Sequence, residues 1–148
     1  MRGVAKMALK DHYDNLNELK ADVLHEMREV LHDQGWVQGT LENDENQVCF
    51  MGAYNTVLFG KAEVFRFGYR KQLNTLPIQR RYVYESLLKE VKKHLAEMFP
   101  LDMDNIHYEG WQIERWNDTK GRTFEEVEKA IMQMADYYET RYLEGLQS

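Results

Sequence analysis

Seven apolar residues, Leu16, Leu19, Val23, Leu24, Met27, Val30 and Leu31, stand at i, i+3, i+7, i+8, i+11, i+14 and i+15, and no other feature constrains the chain as much. They form the stripe of one helical face, which has to be buried against other elements. Asp14 or Asn15 can supply the N-cap oxygen, and Gly35 suits the left-handed position that closes a helix without a Cβ penalty.

A length of 148 residues fits one domain that buries ~70% of the surface of its unfolded chain. Residues 1–12 read as a weakly ordered N-terminal extension, with Met7 as an alternative start, and residues 13–148 as a single helical domain. The lone Cys49 has no partner for an internal disulfide and no metal-finger spacing around it. No apolar run approaches the ~18 residues of a membrane span, so a cytoplasmic protein without membrane association is expected. The net charge of −6 argues against a protein that coats nucleic acid by bulk attraction. Residues 61–84 depart from that balance: Lys61, Arg66, Arg70, Lys71, Arg80 and Arg81 face the single acid Glu63, giving +5 locally and leaving −11 elsewhere.

Beyond Gly35, Trp36 resumes apolar character as a core anchor, and Gln38-Gly39 opens a turn-rich acidic loop. A second helix is expected from about Asn46, with Phe50, Ala53, Tyr54, Val57 and Leu58 at helical spacing. Gly52 within it would cost ~1 kcal/mol relative to alanine, which signals close approach of another backbone. Phe65, Phe67 and Tyr69 alternate with Arg66, Gly68 and Arg70, so residues 63–70 admit a short β pair or a continuation of the second helix. Thr75 can cap a third helix with Pro77 in its first turn, buried through Val83, Leu87, Leu88, Val91, Leu95 and Met98 and stopped by Pro100. Residues 101–121 read as irregular or briefly helical, pinned to the core by Trp111 and Trp116, with Asn117-Asp118 shaping a turn. Thr123 and Glu126 then form a capping box for a final helix lined by Val127, Ala130, Ile131, Met134, Tyr138 and Tyr142. The expected fold is all-α, a bundle of about four main helices.

Candidate chemistry is sparse. Cys49 falls at the start of the second helix, where N–H groups and the dipole can stabilise a thiolate; His94 or His107 would be its base, with Asp118 or Asn117 orienting that base. The bland reading of Cys49 is a small buried hydrophobe. Arg66, Arg70, Lys71, Arg80 and Arg81, interleaved with aromatics, could grip phosphate, although such residues are more often a solvated face or partners for acids. His25, Glu29 and His32 share a face opposite the apolar stripe, and an exposed polar face explains them better than a metal site. No metal and no cofactor are expected.

The ordered set Gly35-Trp36-x-Gln38-Gly39, Cys49-x-x-Gly52-Ala53, Trp116-Asn117-Asp118 and Thr123-x-x-Glu126-Val127 resembles a family of short uncharacterised proteins from actinobacteria and their phages. The resemblance implies a compact helical fold and brings no established activity. It also implies that the motifs build one packed corner, with Trp-Asn-Asp lying over the Trp-x-Gln-Gly turn.

Three functions compete. A non-enzymatic helical module, phage-encoded and binding a host protein in the host cytoplasm, would leave an exposed apolar or aromatic patch, for which Tyr137, Tyr138 and Tyr142 are the candidates. An acidic mimic of nucleic acid is a variant of it. A Cys49-dependent hydrolase or transferase would need its side chains in one cleft. A nucleotide or nucleic-acid binder using the basic segment would lose affinity with salt. An apolar helix face left over in a monomer would equally be the seam of a homodimer.

Overall fold

A computed structural model of the protein describes residues 9–65, 68–100 and 109–147. These residues form six helices: α1 (Leu16–Gln34), α2 (Phe50–Phe59), α3 (Tyr69–Leu73), α4 (Ile78–Met98), α5 (Glu109–Asn117) and α6 (Phe124–Gln147). The fold is all-α, and the four long segments expected from periodicity are α1, α2, α4 and α6.

Of the two candidate caps for α1, Asn15 is used, its side chain accepting from the Asn17 N–H at 2.8 Å. Gly35 closes the helix at φ 94°, returning its N–H to the Leu31 carbonyl. Leu19, Val23, Leu24, Met27 and Leu31 of the stripe are buried, with Leu16 and Val30 at its margin. They pack chiefly on α6 and next on α2. His32 meets Glu128 and His25 meets Glu139, so α1 and α6 run antiparallel. The capping box of α6 forms as its sequence requires: the Thr123 N–H donates to Glu126 Oε1 at 3.0 Å, and the Glu126 N–H to Thr123 Oγ1 at 3.2 Å. Ahead of α1, Leu9 and Tyr13 are buried, and the Leu9 carbonyl accepts from Arg80 on α4.

Three local expectations change. Helix α2 begins at Phe50 rather than near Asn46, because Asn46 takes φ 67° and Val48 forms isolated bridges with Trp36 and Glu42. Thr75 does not cap α4; its hydroxyl donates to the Gln72 carbonyl at the end of α3, and Pro77 holds the N-cap position. The β pair admitted for residues 63–70 does not form among the described residues, where Tyr69 already begins α3. The physical reason is ring packing: Phe65 stacks on Tyr69 at 4.5 Å, four residues on, and both join a cluster with Phe59 and Tyr84. Alternation there marks aromatic contacts in a turn. Helix α4 ends at Met98, ahead of Phe99-Pro100, as the restriction on the residue before proline requires.

Candidate functional site

The sequence motifs converge on one corner, where α1 ends, α2 begins and α5 ends. Gly35 turns the chain out of α1, and residues 36–48 fold back through Val37 N–H to Val48 carbonyl and Val48 N–H to Gly35 carbonyl bonds. Asn43 Oδ1 shapes the tip by accepting from the N–H groups of Glu45 and Gln47. The return lays Leu41 against α2: a Cβ on Gly52 would stand 2.2 Å from the Leu41 carbonyl oxygen. That position admits only glycine, which is the close backbone approach expected of it.

Asn117, fully buried, holds the corner together. Its Oδ1 accepts from Trp36 Nε1–H at 2.7 Å and from the Phe50 N–H at 3.0 Å, while Nδ2 donates to the Val37 carbonyl at 3.2 Å and to Asp118 Oδ1 at 3.0 Å. Phe50 is the first residue of α2, so Asn117 caps from another helix an N–H that α2 leaves open. Cys49 Sγ accepts the Gly52 N–H at 3.3 Å and shares the capping. Gln38 Nε2 donates to the Asn117 and Thr119 carbonyls, and the Gly39 N–H to Asp118 Oδ1. The Trp-Asn-Asp turn does lie over the Trp-x-Gln-Gly turn. Beneath it, buried Trp116 packs on Phe50 and Phe99, with the Arg122 guanidinium 4.5 Å from the Trp116 ring and 4.7 Å from that of Phe99.

Cys49, Glu114 and Asp118 line a cleft of about 60 Å³ with Gly39, Thr40 and Leu41. That is room for a water or two, far below the ~300 Å³ at which ligand pockets begin. Cys49 is 3% exposed, and burial pushes its thiol up to about 11 despite the Gly52 N–H, opposite to the activation its helix-start position promises. Burial, and then the charge of Asp118, raise the Glu114 carboxyl. No histidine lines this cleft among the described residues. His94 pairs with the Tyr138 hydroxyl at 3.0 Å, which donates to Glu90, itself held by Lys20. His107 lies outside the described residues, as do Arg66 and the side chain of Trp111. Of the proposed nucleophile, bases and orienting residues, the described structure brings Cys49 into one corner with Asn117 and Asp118 and leaves His94 elsewhere.

The basic segment divides. Arg80 donates to the Leu9 carbonyl at 3.3 Å and Arg81 to those of Asn74 and Leu76, so both tie chain segments together. Arg70 and Lys71 are exposed on α3. His25 and His32 each face a glutamate of α6, with Arg28 beside His32 on Glu128 at 2.9 Å, and these pairs account for that polar face. The groups His/Cys/Asp/Glu hold no metal-binding cluster among the described residues. No described helix is long and apolar enough to cross a membrane.

Sequence reasoning missed two features. Asn55 is buried within the apolar run of α2 and bridges the Ala62 carbonyl and the Tyr84 hydroxyl beside a cavity of about 470 Å³; a polar residue in an otherwise apolar helix was the signal. Tyr138 and Tyr142, offered as parts of an exposed patch, are buried and half-buried, and Arg141 covers the Tyr137 ring at 3.5 Å. The large apolar residues that stand out on α4 are Ile78, 76% exposed, and Tyr82, 59% exposed.

Fold and corner together define a small helical domain whose sequence motifs serve to lock one loop between two helices. The chain belongs to a family of unknown function (DUF6197), whose pattern matches residues 16–137, from the first residue of α1 into the middle third of α6. No curated protein and no solved structure matches it significantly.

Proposed function

We propose that this protein is a non-enzymatic helical interaction module, a phage-type accessory protein that acts on a host protein in the host cytoplasm. The observation that carries the reading is the solvent-facing pair Ile78 and Tyr82, one helical turn apart on α4; Leu143 and Leu146, near the end of α6, are exposed as well. The corner supports the same reading, because Asn117, Gln38 and Asp118 are engaged in holding the fold and burial pushes the Cys49 thiol up to about 11. The phage assignment rests on the resemblance of the four motifs.

The test is site-specific photocrosslinking in an actinobacterial host, with benzoylphenylalanine at position 82 and, as control, at the exposed position 129 on α6. The expected result is one discrete adduct from position 82 that disappears in the Ile78→Glu variant. Equal labelling from both positions, or none from position 82, would refute the proposal.

A further inference from the structure

We infer that the exposed face of α4 receives an acidic protein segment that carries an apolar anchor. The inference rests on the interaction reading above and adds to it the chemistry of the partner. Ile78, Tyr82, Glu85, Lys89 and Lys93 follow each other at steps of four, three, four and four residues, so they fall on one stripe of α4. All five are exposed. At 1.5 Å per residue the stripe is about 22 Å long, the length of four turns of a docked helix. Its first half is apolar and its second half basic. Tyr69 of α3 donates to Glu85 Oε1 at 3.2 Å, which places α3, with exposed Arg70 and Lys71, alongside the stripe.

The charges select the occupant. Arg70, Lys71, Lys89 and Lys93 make no hydrogen bond or ion pair through their side chains among the described residues, although the chain holds 25 acids against 19 lysines and arginines. Four unpaired cations stand against two carboxylates, Glu85, already engaged by a tyrosine, and exposed Glu97, one turn beyond Lys93, so the face is positive on a protein whose net charge is −6. Carboxylates on a partner complement that field and set register. A second copy of this chain does not, because a two-fold interface centred on Glu85 would set the two Glu85 carboxylates against each other and lay the lysines of one stripe over Ile78 and Tyr82 of the other. Nucleic acid fits less well: an aliphatic Ile78 offers no stacking plane, and Arg80 and Arg81 are engaged with carbonyl oxygens.

The test uses random peptides displayed on phage, selected against the full chain, with the enriched peptides then synthesised and titrated. The expected outcome is enrichment of peptides with one large apolar residue followed by several Asp or Glu. Tyr82→Ala should weaken such a peptide about tenfold, as loss of a central aromatic anchor does. Lys89→Glu with Lys93→Glu should weaken it about tenfold as well, and so should raising salt from ~0.1 M to ~1 M, where the Debye length falls from about 10 Å to about 3 Å. All three side chains are exposed, and circular dichroism checks that the variants stay folded. Peptides that depend on Tyr82 but lack acids would overturn the partner chemistry and leave the interaction module standing. Enrichment that ignores both sets of substitutions would overturn both. Tight binding of a single-stranded oligonucleotide that Lys89→Glu abolishes would replace the protein partner with nucleic acid, and a concentration-dependent dimer broken by Tyr82→Ala would replace it with a second copy.

Discussion

Replacing Asn117 with alanine tests the corner directly. The substitution removes the acceptor of the Phe50 N–H, in a residue with no exposed surface, and so leaves a buried donor unpaired at the first residue of α2. Such an orphan costs roughly 1–3 kcal/mol. Trp36 Nε1–H and the Val37 carbonyl lose their partners too, but both residues are half-buried and water can compensate in part. Those losses and the small void together add about 1–2 kcal/mol. The expected total of about 2–5 kcal/mol is a large share of the ~5–15 kcal/mol by which a domain is stable. Urea unfolding followed by far-ultraviolet circular dichroism reads it as a lowered midpoint at unchanged slope. Asn117→Asp sharpens the test, since it keeps the acceptor for Phe50 and Trp36 but sets a second carboxylate oxygen where Nδ2 donates to Asp118 at 3.0 Å. A carboxyl buried beside another has its folded pKa raised, so this variant should be weakest at neutral pH and regain stability as pH falls. A loss below about 1 kcal/mol for Asn117→Ala would refute the argument that this side chain caps α2 from another helix.

Two further outcomes follow from the same corner. Gly52→Ala puts a Cβ 2.2 Å from the Leu41 carbonyl oxygen, so the 36–48 loop has to move; thermal unfolding should show a loss of about 3 kcal/mol or more, and a neutral result would mean that Leu41 is not held there. Cys49, with its thiol at about 11, should resist alkylation at neutral pH until the protein unfolds. Because the folded state favours the neutral thiol, stability should be constant below the ~8.5 of a free thiol and fall as pH rises towards the folded value, by on the order of 3 kcal/mol more than in Cys49→Ala. Rapid labelling of the native thiol near pH 7 would reopen the nucleophile reading.

The long helices could be read from the chain because their signals are local: an apolar period, a capping residue and a stop are all written within a few residues of the element they define. Leu16 to Leu31 give α1, Thr123 and Glu126 give the start of α6, and Pro100 marks the end of α4. Gly52 announced a close backbone approach by standing inside a helix where glycine is costly. Local signals misled where two elements shared one pattern. Phe65 and Tyr69 alternate like a strand but pack as rings four residues apart, and Thr75 resembles a cap for the next helix while closing the previous one.

By itself the sequence determined an all-α chain, its helical stripes and the set of motifs that would have to meet. Only the tertiary structure decided what those motifs do and which charges are left over. The thiolate expected at a helix start depends on water reaching the sulfur, and Cys49 lies under the folded-back loop, where desolvation outweighs the helix N–H groups. Arg80 and Arg81 read like Arg70 and Lys71 in one basic run, yet carbonyls of Leu9, Asn74 and Leu76, supplied by other parts of the chain, engage the first two. Periodicity is set by neighbours in sequence, whereas burial, pairing and exposure are set by whichever distant segment arrives alongside.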